Sequence, residues 1–312
     1  MPAVIIARSV IAFGCSIISP DVYELRAKVG FDRVAEPGSR IYPRAASGSI
    51  ARSYNLMLDT VAELEDLEAL VLVHEDAEIA DRSFCTKLRA ALADPAVAVV
   101  GCVGATGVRD IAWWDGQVTS NAATYRYGEL GGGELRGQPG GTLPGEVDSI
   151  YGVIMALSPW AVKHLRFDES VGMLHGYDFD ICRKAREAGR KVVTADIEVV
   201  HHHSLDLVKD IEIWVAAHMR AAELWDRSGP DDPLHPEWKQ RARRAEAAAA
   251  AARLLAASEL LRVDATAKQY AAEQERIERS RSWRLTATLR QGNALRRSAR
   301  RRLGTGWRRG AR

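Results

Sequence analysis

The run Ala69-Leu70-Val71-Leu72-Val73 is apolar without interruption over the length of a strand and ends abruptly in His74-Glu75-Asp76-Ala77-Glu78. A strand with apolar side chains on both faces belongs in the middle of a parallel sheet. Apolar and β-branched residues between Val4 and Gly14 predict another buried strand, and Ser19-Pro20-Asp21 opens a helix toward Val29. A short strand near Arg40–Tyr42 leads into Ser47-Gly48-Ser49, after which Ile50, Tyr54, Met57, Leu58 and Val61 recur at helical spacing. A helix over Asp81–Leu92 and a strand over Val97–Val103 repeat the alternation, so the first hundred residues predict a doubly wound α/β sheet. Ligands in such sheets bind beyond the carboxyl ends of strands, where the acidic cluster falls.

From Gly116 to Gly145 the chain holds Gly131-Gly132-Gly133 and Gly140-Gly141 with little periodicity, which predicts a long mobile loop of the kind that forms lids. Beyond it the pattern predicts a strand over Ile150–Leu157, a helix entered by Ser158-Pro159-Trp160 and a helix over Asp180–Ala188. Strands near Lys191–Ala195 and Glu198–His202 follow. A last helix places Leu207, Ile211, Trp214, His218 and Trp225 on one face. Asp231-Asp232-Pro233-Leu234-His235-Pro236 reads as a linker. Arg241–Arg279 contains no Gly or Pro and is rich in Ala, Glu, Arg and Leu, which predicts a helix of about ten turns. Leu254 and Leu261 are seven residues apart, but Lys268 occupies the next position, so any coiled coil is weak. The predicted organisation is a catalytic domain over 1–228, a linker over 229–238, a long helix over 239–279 and a basic tail over 280–312.

Charge sharpens that division. From Lys239 onward there are 20 Lys or Arg against 6 Asp or Glu, a formal +14, which leaves −12 on residues 1–238 of a chain whose net charge is +2. After Glu278 no acidic residue remains, while 12 arginines alternate with Trp283, Leu285, Leu289, Leu295, Leu303 and Trp307. Arginine interleaved with Trp and Leu suits an anionic membrane surface, and no nucleic-acid-binding motif is present. The four cysteines form no C-x-x-C pair and sit in apolar contexts, as reduced core residues do. No stretch approaches the ~20 apolar residues of a spanning helix, so a cytoplasmic protein is expected, peripheral at the membrane's inner face if the tail binds there.

Three clusters carry candidate chemistry. Glu75, Asp76 and Glu78 are hard oxygen donors at a strand's end, suited to Mg2+ or Mn2+ against a diphosphate, whereas a solvated turn would need nothing more than their charge. In His175-Gly176-Tyr177-Asp178-Phe179-Asp180, Asp180 suits the cap of the following helix, which leaves Asp178 just outside it to accept a proton from a hydroxyl. In His201-His202-His203, strand alternation sends His201 and His203 to one face and His202 to the other, so all three do not ligate one ion. Trp113 and Trp114 follow a predicted strand, where one suits stacking on a ligand ring and the other the core.

On these segments the chain resembles family 2-like GT-A glycosyltransferases, of the type named after streptomycin biosynthesis protein F, over roughly Ile11–Trp225. Leu72-Val73-His74-Glu75-Asp76-Ala77-Glu78 looks like their metal-nucleotide motif, with Asp76 on the metal-binding aspartate and His74 standing where many have a first aspartate. Ser49-Ile50-Ala51-Arg52-Ser53-Tyr54-Asn55 resembles the helix start near the nucleotide, and His175–Asp180 the acceptor-side motif. The resemblance implies donor binding by Arg52, Asn55, His74, Glu75 and Asp76, and an acceptor against Trp113, Trp114, His175 and Tyr177. It makes Asp178 the general base and Asp76 a metal ligand, with His201 or His202 completing the shell. It implies an inverting transferase that uses Mn2+ or Mg2+ to move a hexosyl or deoxyhexosyl group from a nucleotide sugar to a hydroxyl of a glycan or lipid-linked acceptor. Two alternatives stay open on the residues alone. One is a zinc hydrolase using His74, Asp76, His201 and His203, and the other is a degenerate, non-catalytic scaffold whose tail helix recruits partners or a second copy.

Overall fold

The computed structural model describes residues 10–127, 134–136, 144–203, 210–225 and 236–286. In chain order its strands are β1 (Val10–Ile17), β2 (Arg40–Ala45), β3 (Leu67–His74), β4 (Ala77–Ile79), β5 (Val97–Gly101), β6 (Val103–Thr106), β7 (Gln117–Asn121), β8 (Ala123–Arg126), β9 (Glu134–Arg136), β10 (Ser149–Ile150), β11 (Ile154–Leu157), β12 (Lys191–Thr194) and β13 (Val199–His201). Its helices are α1 (Pro20–Leu25), α2 (Ala27–Val34), α3 (Ile50–Val61), α4 (Phe84–Ala91), α5 (Pro159–His164), α6 (Tyr177–Glu187), α7 (Ile211–Trp225), α8 (Pro236–Arg279) and α9 (Arg281–Leu285).

The central sheet runs β12-β5-β11-β3-β1-β2, parallel except where β11 lies antiparallel between β3 and β5. β3, with its apolar run Ala69–Val73, sits inside it, and the alternation of that run divides the core. Ala69, Val71 and Val73 pack with Phe13, Phe31 and Phe84 under α1, α2 and α4. Leu70 and Leu72 face the opposite way, onto Tyr54, Met57 and Leu58 of α3 and residues of α5 and α6. The mostly parallel sheet with helices on both faces is the architecture the pattern predicted.

Two expectations from local pattern are corrected. The glycine-rich region holds strands: β7 pairs with β6, and β8 lies parallel to β13, with β9 on its other edge. Their hydrogen-bond partners come from distant segments, which a local periodicity does not register. Residues 128–133 and 137–143 of that region lie outside the described residues. The single strand expected over Ile150–Leu157 is also two strands. β10 joins β6, β11 enters the central sheet, and Tyr151-Gly152-Val153 between them belongs to neither.

The chain divides into units of residues 1–258 and 259–312. Within the first, Ala247, Ala250 and Ala251 of α8 are buried in one apolar cluster with Trp214, Val215, Ala217 and Ala221 of α7. In the second, α8 continues as a helix with Leu260, Val263 and Tyr270 exposed, and Ser280 then caps α9 by accepting the Trp283 backbone N–H at 3.2 Å. The tail positions Leu289, Leu295, Leu303 and Trp307, together with Leu207 and residues 229–235 of the expected linker, lie outside the described residues, while 236–238 of that linker are the first turn of α8. Among the described residues no helix is long and apolar enough to cross a membrane.

Candidate active site

The carboxyl end of β3 delivers His74, and two residues on the turn presents Asp76 before β4 begins. β13 pairs antiparallel with β4 so that His201 stands opposite Ala77, a register that brings a histidine 125 residues away onto the aspartate. His201 Nε2 lies 3.1 Å from Asp76 Oδ1, and one ligand atom from each of His74, Asp76 and His201 falls within 4.8 Å of the others. Two imidazoles and a carboxylate converging at a strand end form a donor set that fits a divalent cation. Backbone reinforces the pairing, since the His202 N–H donates to the Asp76 carbonyl at 2.9 Å.

The segment between β10 and β11 braces this cluster. The Tyr151 hydroxyl lies 3.3 Å from His201 Nδ1, and the Val153 carbonyl accepts the His74 backbone N–H at 3.1 Å. The Gly152 N–H donates to Asp178 Oδ2 at 2.9 Å, and its carbonyl accepts the Tyr177 hydroxyl at 3.1 Å. Tyr177 in turn lies 2.5 Å from His74 Nε2. Only glycine allows this approach, because a Cβ at residue 152 would fall 2.2 Å from the Tyr177 hydroxyl oxygen. Asp178 therefore shares one polypeptide brace with both histidines.

Electrostatics follow from burial. Burial pushes His74 down to about 4, against the pull of Asp76, so its imidazole is neutral at pH 7 and has a lone pair to give. Burial alone would raise Asp76, but the charge and hydrogen bond of His201, with His74 and His203, hold its carboxyl well below the usual range. Asp178 is pushed up to about 6 by burial, with the Phe179 and Gly152 N–H groups opposing the shift. The phenols of Tyr151 and Tyr177 are pushed well above their ordinary value, again by burial first, and stay protonated.

The structure sorts the sequence candidates. It brings together His74, Asp76 and His201, and it puts His203 against His201 with ring centroids 4.6 Å apart, as alternation required. His202 is not in the group: its Nε2 turns to Glu78, 3.6 Å away. Glu75 does not face the site either, because its carboxylate accepts the Ile18 and Ser19 N–H groups at 2.6 and 2.9 Å. Asn55 exchanges hydrogen bonds with the Phe167 backbone and reaches Glu169, so its amide is occupied, while Arg52 on the same helix is exposed.

Trp113 packs on Tyr151 with centroids 5.4 Å apart, beside the histidine brace, whereas Trp114 stacks toward Trp214 in the core. His175 is half-buried next to Gly176, whose φ of 80° starts α6. That helix begins at Tyr177, three residues before the predicted start. Asp178 thus sits in its first turn, and Asp180 is inside the helix, fully buried, accepting from Asp168 N–H and Lys184 instead of capping. Tyr177 is 4% exposed with its hydroxyl engaged on both sides, which removes it from an acceptor surface. The sequence pattern did not single out Tyr151 and Gly152, although a glycine inside a predicted strand is the local signal of a break.

A sequence model of a glycosyltransferase-like family matches residues 41–228, more than half of the chain and all of the cluster above. The streptomycin biosynthesis protein StrF of Streptomyces griseus is 25% identical over 197 residues, an alignment covering 62% of this chain and 66% of that protein, just under two thirds of its length. Among solved structures, the mannosyltransferase PcManGT from Pyrobaculum calidifontis, in complex with GDP-Man and Mn2+, is similar at 16% identity and a TM-score of 0.47, covering 89% of this chain and 83% of that one. GalNAc-T7 with UDP, GalNAc and Mn2+ is similar at 9% identity and the same TM-score of 0.47, covering 70% and 48%. The assignment rests on the sequence match, which spans the strand-end cluster, Asp178 and the histidine run together: the chain belongs to the glycosyltransferase-like family.

Proposed function

We propose that this glycosyltransferase moves a hexosyl or deoxyhexosyl group from a nucleotide-sugar donor to a hydroxyl of a glycan or lipid-linked acceptor, with inversion at the anomeric carbon. The observation that carries this is the convergence of His74, Asp76 and His201 beyond β3, braced through Tyr151-Gly152-Val153 to Asp178. His74, Asp76 and His201 would hold Mn2+ or Mg2+, which when bound offsets negative charge on the donor diphosphate as it leaves. Asp76 stays ionised for that task, and His74 stays neutral. Asp178 accepts the proton of the acceptor hydroxyl, and burial that lifts it to about 6 makes it a stronger base than an exposed aspartate while leaving it ionised at pH 7. With Asp178 acting as base on the acceptor hydroxyl, that oxygen attacks the anomeric carbon directly in a single displacement, hence inversion. Trp113, packed on Tyr151, offers an apolar ring for the acceptor sugar.

Calorimetric titration of the full chain with a panel of sugar nucleotides, with and without Mn2+, tests the reading. The expected result is Mn2+-dependent binding of one nucleotide class and release of its diphosphate on adding acceptor. Binding of Mn2+ with no affinity for any sugar nucleotide would remove the proposal.

A further inference from the structure

The Tyr177 hydroxyl has two neighbours and one proton. The Gly152 carbonyl, 3.1 Å away, is an acceptor only, and His74 Nε2, 2.5 Å away, can donate or accept. Both contacts are satisfied together in one arrangement: Tyr177 donates to Gly152, and His74 Nε2–H donates to the Tyr177 oxygen. That fixes the proton of the neutral His74 ring on Nε2 and leaves Nδ1 with a free lone pair. Tyr177 is 4% exposed and packs on Tyr54 and Phe167, so its phenol is held in place, and the missing side chain at Gly152 is what lets the oxygen reach the backbone. On the other ligand, the Tyr151 hydroxyl stands at His201 Nδ1 while Nε2 faces Asp76.

We infer that Tyr177 is a positioning residue that sets the tautomer and ring orientation of His74 for a divalent cation, acting through the chain His74 Nε2–H to Tyr177 O–H to Gly152 C=O. The inference rests on the proposed metal-binding role of His74, Asp76 and His201. It gives the residue after Gly176 a task unrelated to acceptor contact, and it explains why a tyrosine is placed where a phenylalanine would fill the same volume. Partners of this kind on ligating histidines are worth about 10- to 100-fold in metal affinity.

The test uses the full-length protein, with Mn2+ as the probe and its binding followed by electron paramagnetic resonance. Wild type should bind, His74→Ala should not, and Tyr177→Phe should bind about 10- to 100-fold more weakly. A two-bond 1H–15N correlation spectrum of metal-free wild type should show His74 protonated on Nε2, a signature that mere packing by Tyr177 would not produce. Tyr177→Phe binding Mn2+ as wild type does, while His74→Ala fails to bind, overturns the role of Tyr177 and leaves the metal site standing. Wild type that binds no Mn2+ overturns both. If Tyr177→Phe does not fold, the wild-type spectrum decides alone, and a proton on Nδ1 refutes the inference.

Discussion

Replacing Asp178 with Asn separates its proton chemistry from its structural bonds. Asp178 is buried, and its carboxyl is lifted from an ordinary value near 3.8 to about 6, chiefly by burial. In the unfolded chain the group ionises near 3.9, so between roughly pH 4 and pH 6 the folded state holds more protons than the unfolded one. This group's contribution to stability is therefore greatest below pH 4, declines as pH rises to about 6, and is constant above. At ~1.4 kcal/mol for each tenfold change in proton affinity, the decline is about 3 kcal/mol.

Asparagine cannot ionise and removes that decline. It keeps one of the two accepted backbone bonds, from Gly152 and Phe179, and sets an amide N–H against the other donor, at a cost of about 1–3 kcal/mol. Urea unfolding of metal-free wild type and Asp178→Asn at pH 4, 5, 6 and 7.5 should show the variant less stable at pH 4 and equal to, or up to about 2 kcal/mol more stable than, wild type at pH 7.5. Turnover, followed as nucleoside diphosphate release, should fall by roughly 10²- to 10⁴-fold with donor affinity retained. A stability difference independent of pH would refute the burial argument, and near-normal turnover would refute the base.

Asp76→Ala should abolish both Mn2+ binding and Mn2+-dependent donor binding in calorimetry; donor binding at wild-type strength would show that the ion does not bridge through this carboxylate. Trp214→Ala, which empties the 2%-exposed site against Trp114 and the α8 alanines, should cost about 3–5 kcal/mol in urea unfolding, and a loss under 1 kcal/mol would mean that the helix face collapses onto the gap. A chain ending at Ser258 should keep donor binding and turnover, whereas one ending at Trp238 should melt at lower temperature because loss of Ala247, Ala250 and Ala251 leaves Trp214 bare. The full chain should co-sediment with anionic vesicles at low salt and be released by high salt, since each basic residue near such a surface adds about 1 kcal/mol; equal sedimentation by the chain ending at Ser258 would remove the tail's role.

Where one face of an element is buried by its own residues, the outcome was legible in the residue pattern. The unbroken Ala69–Val73 run can be accommodated only between other strands and two helix layers, and that is where it lies. The two-residue period of a strand likewise separated His201 and His203 from His202, because alternate side chains must leave opposite faces. The absence of Gly and Pro carried α8 through Arg279.

Which polar groups meet was settled by tertiary packing instead. Nothing local distinguishes Glu75, whose carboxylate is taken by two N–H groups of the β1–α1 turn, from Asp76 beside it, since the turn lies 56 residues upstream. His74 became a partner of Asp76 and His201 only through the pairing of β4 with β13, and Tyr177 exchanged an acceptor surface for a buried hydroxyl because Gly152 opens a path 25 residues away. A hydrogen bond depends on placing two groups within about 3 Å, and between residues far apart in sequence that placement is made by packing and strand register rather than by the composition of either segment.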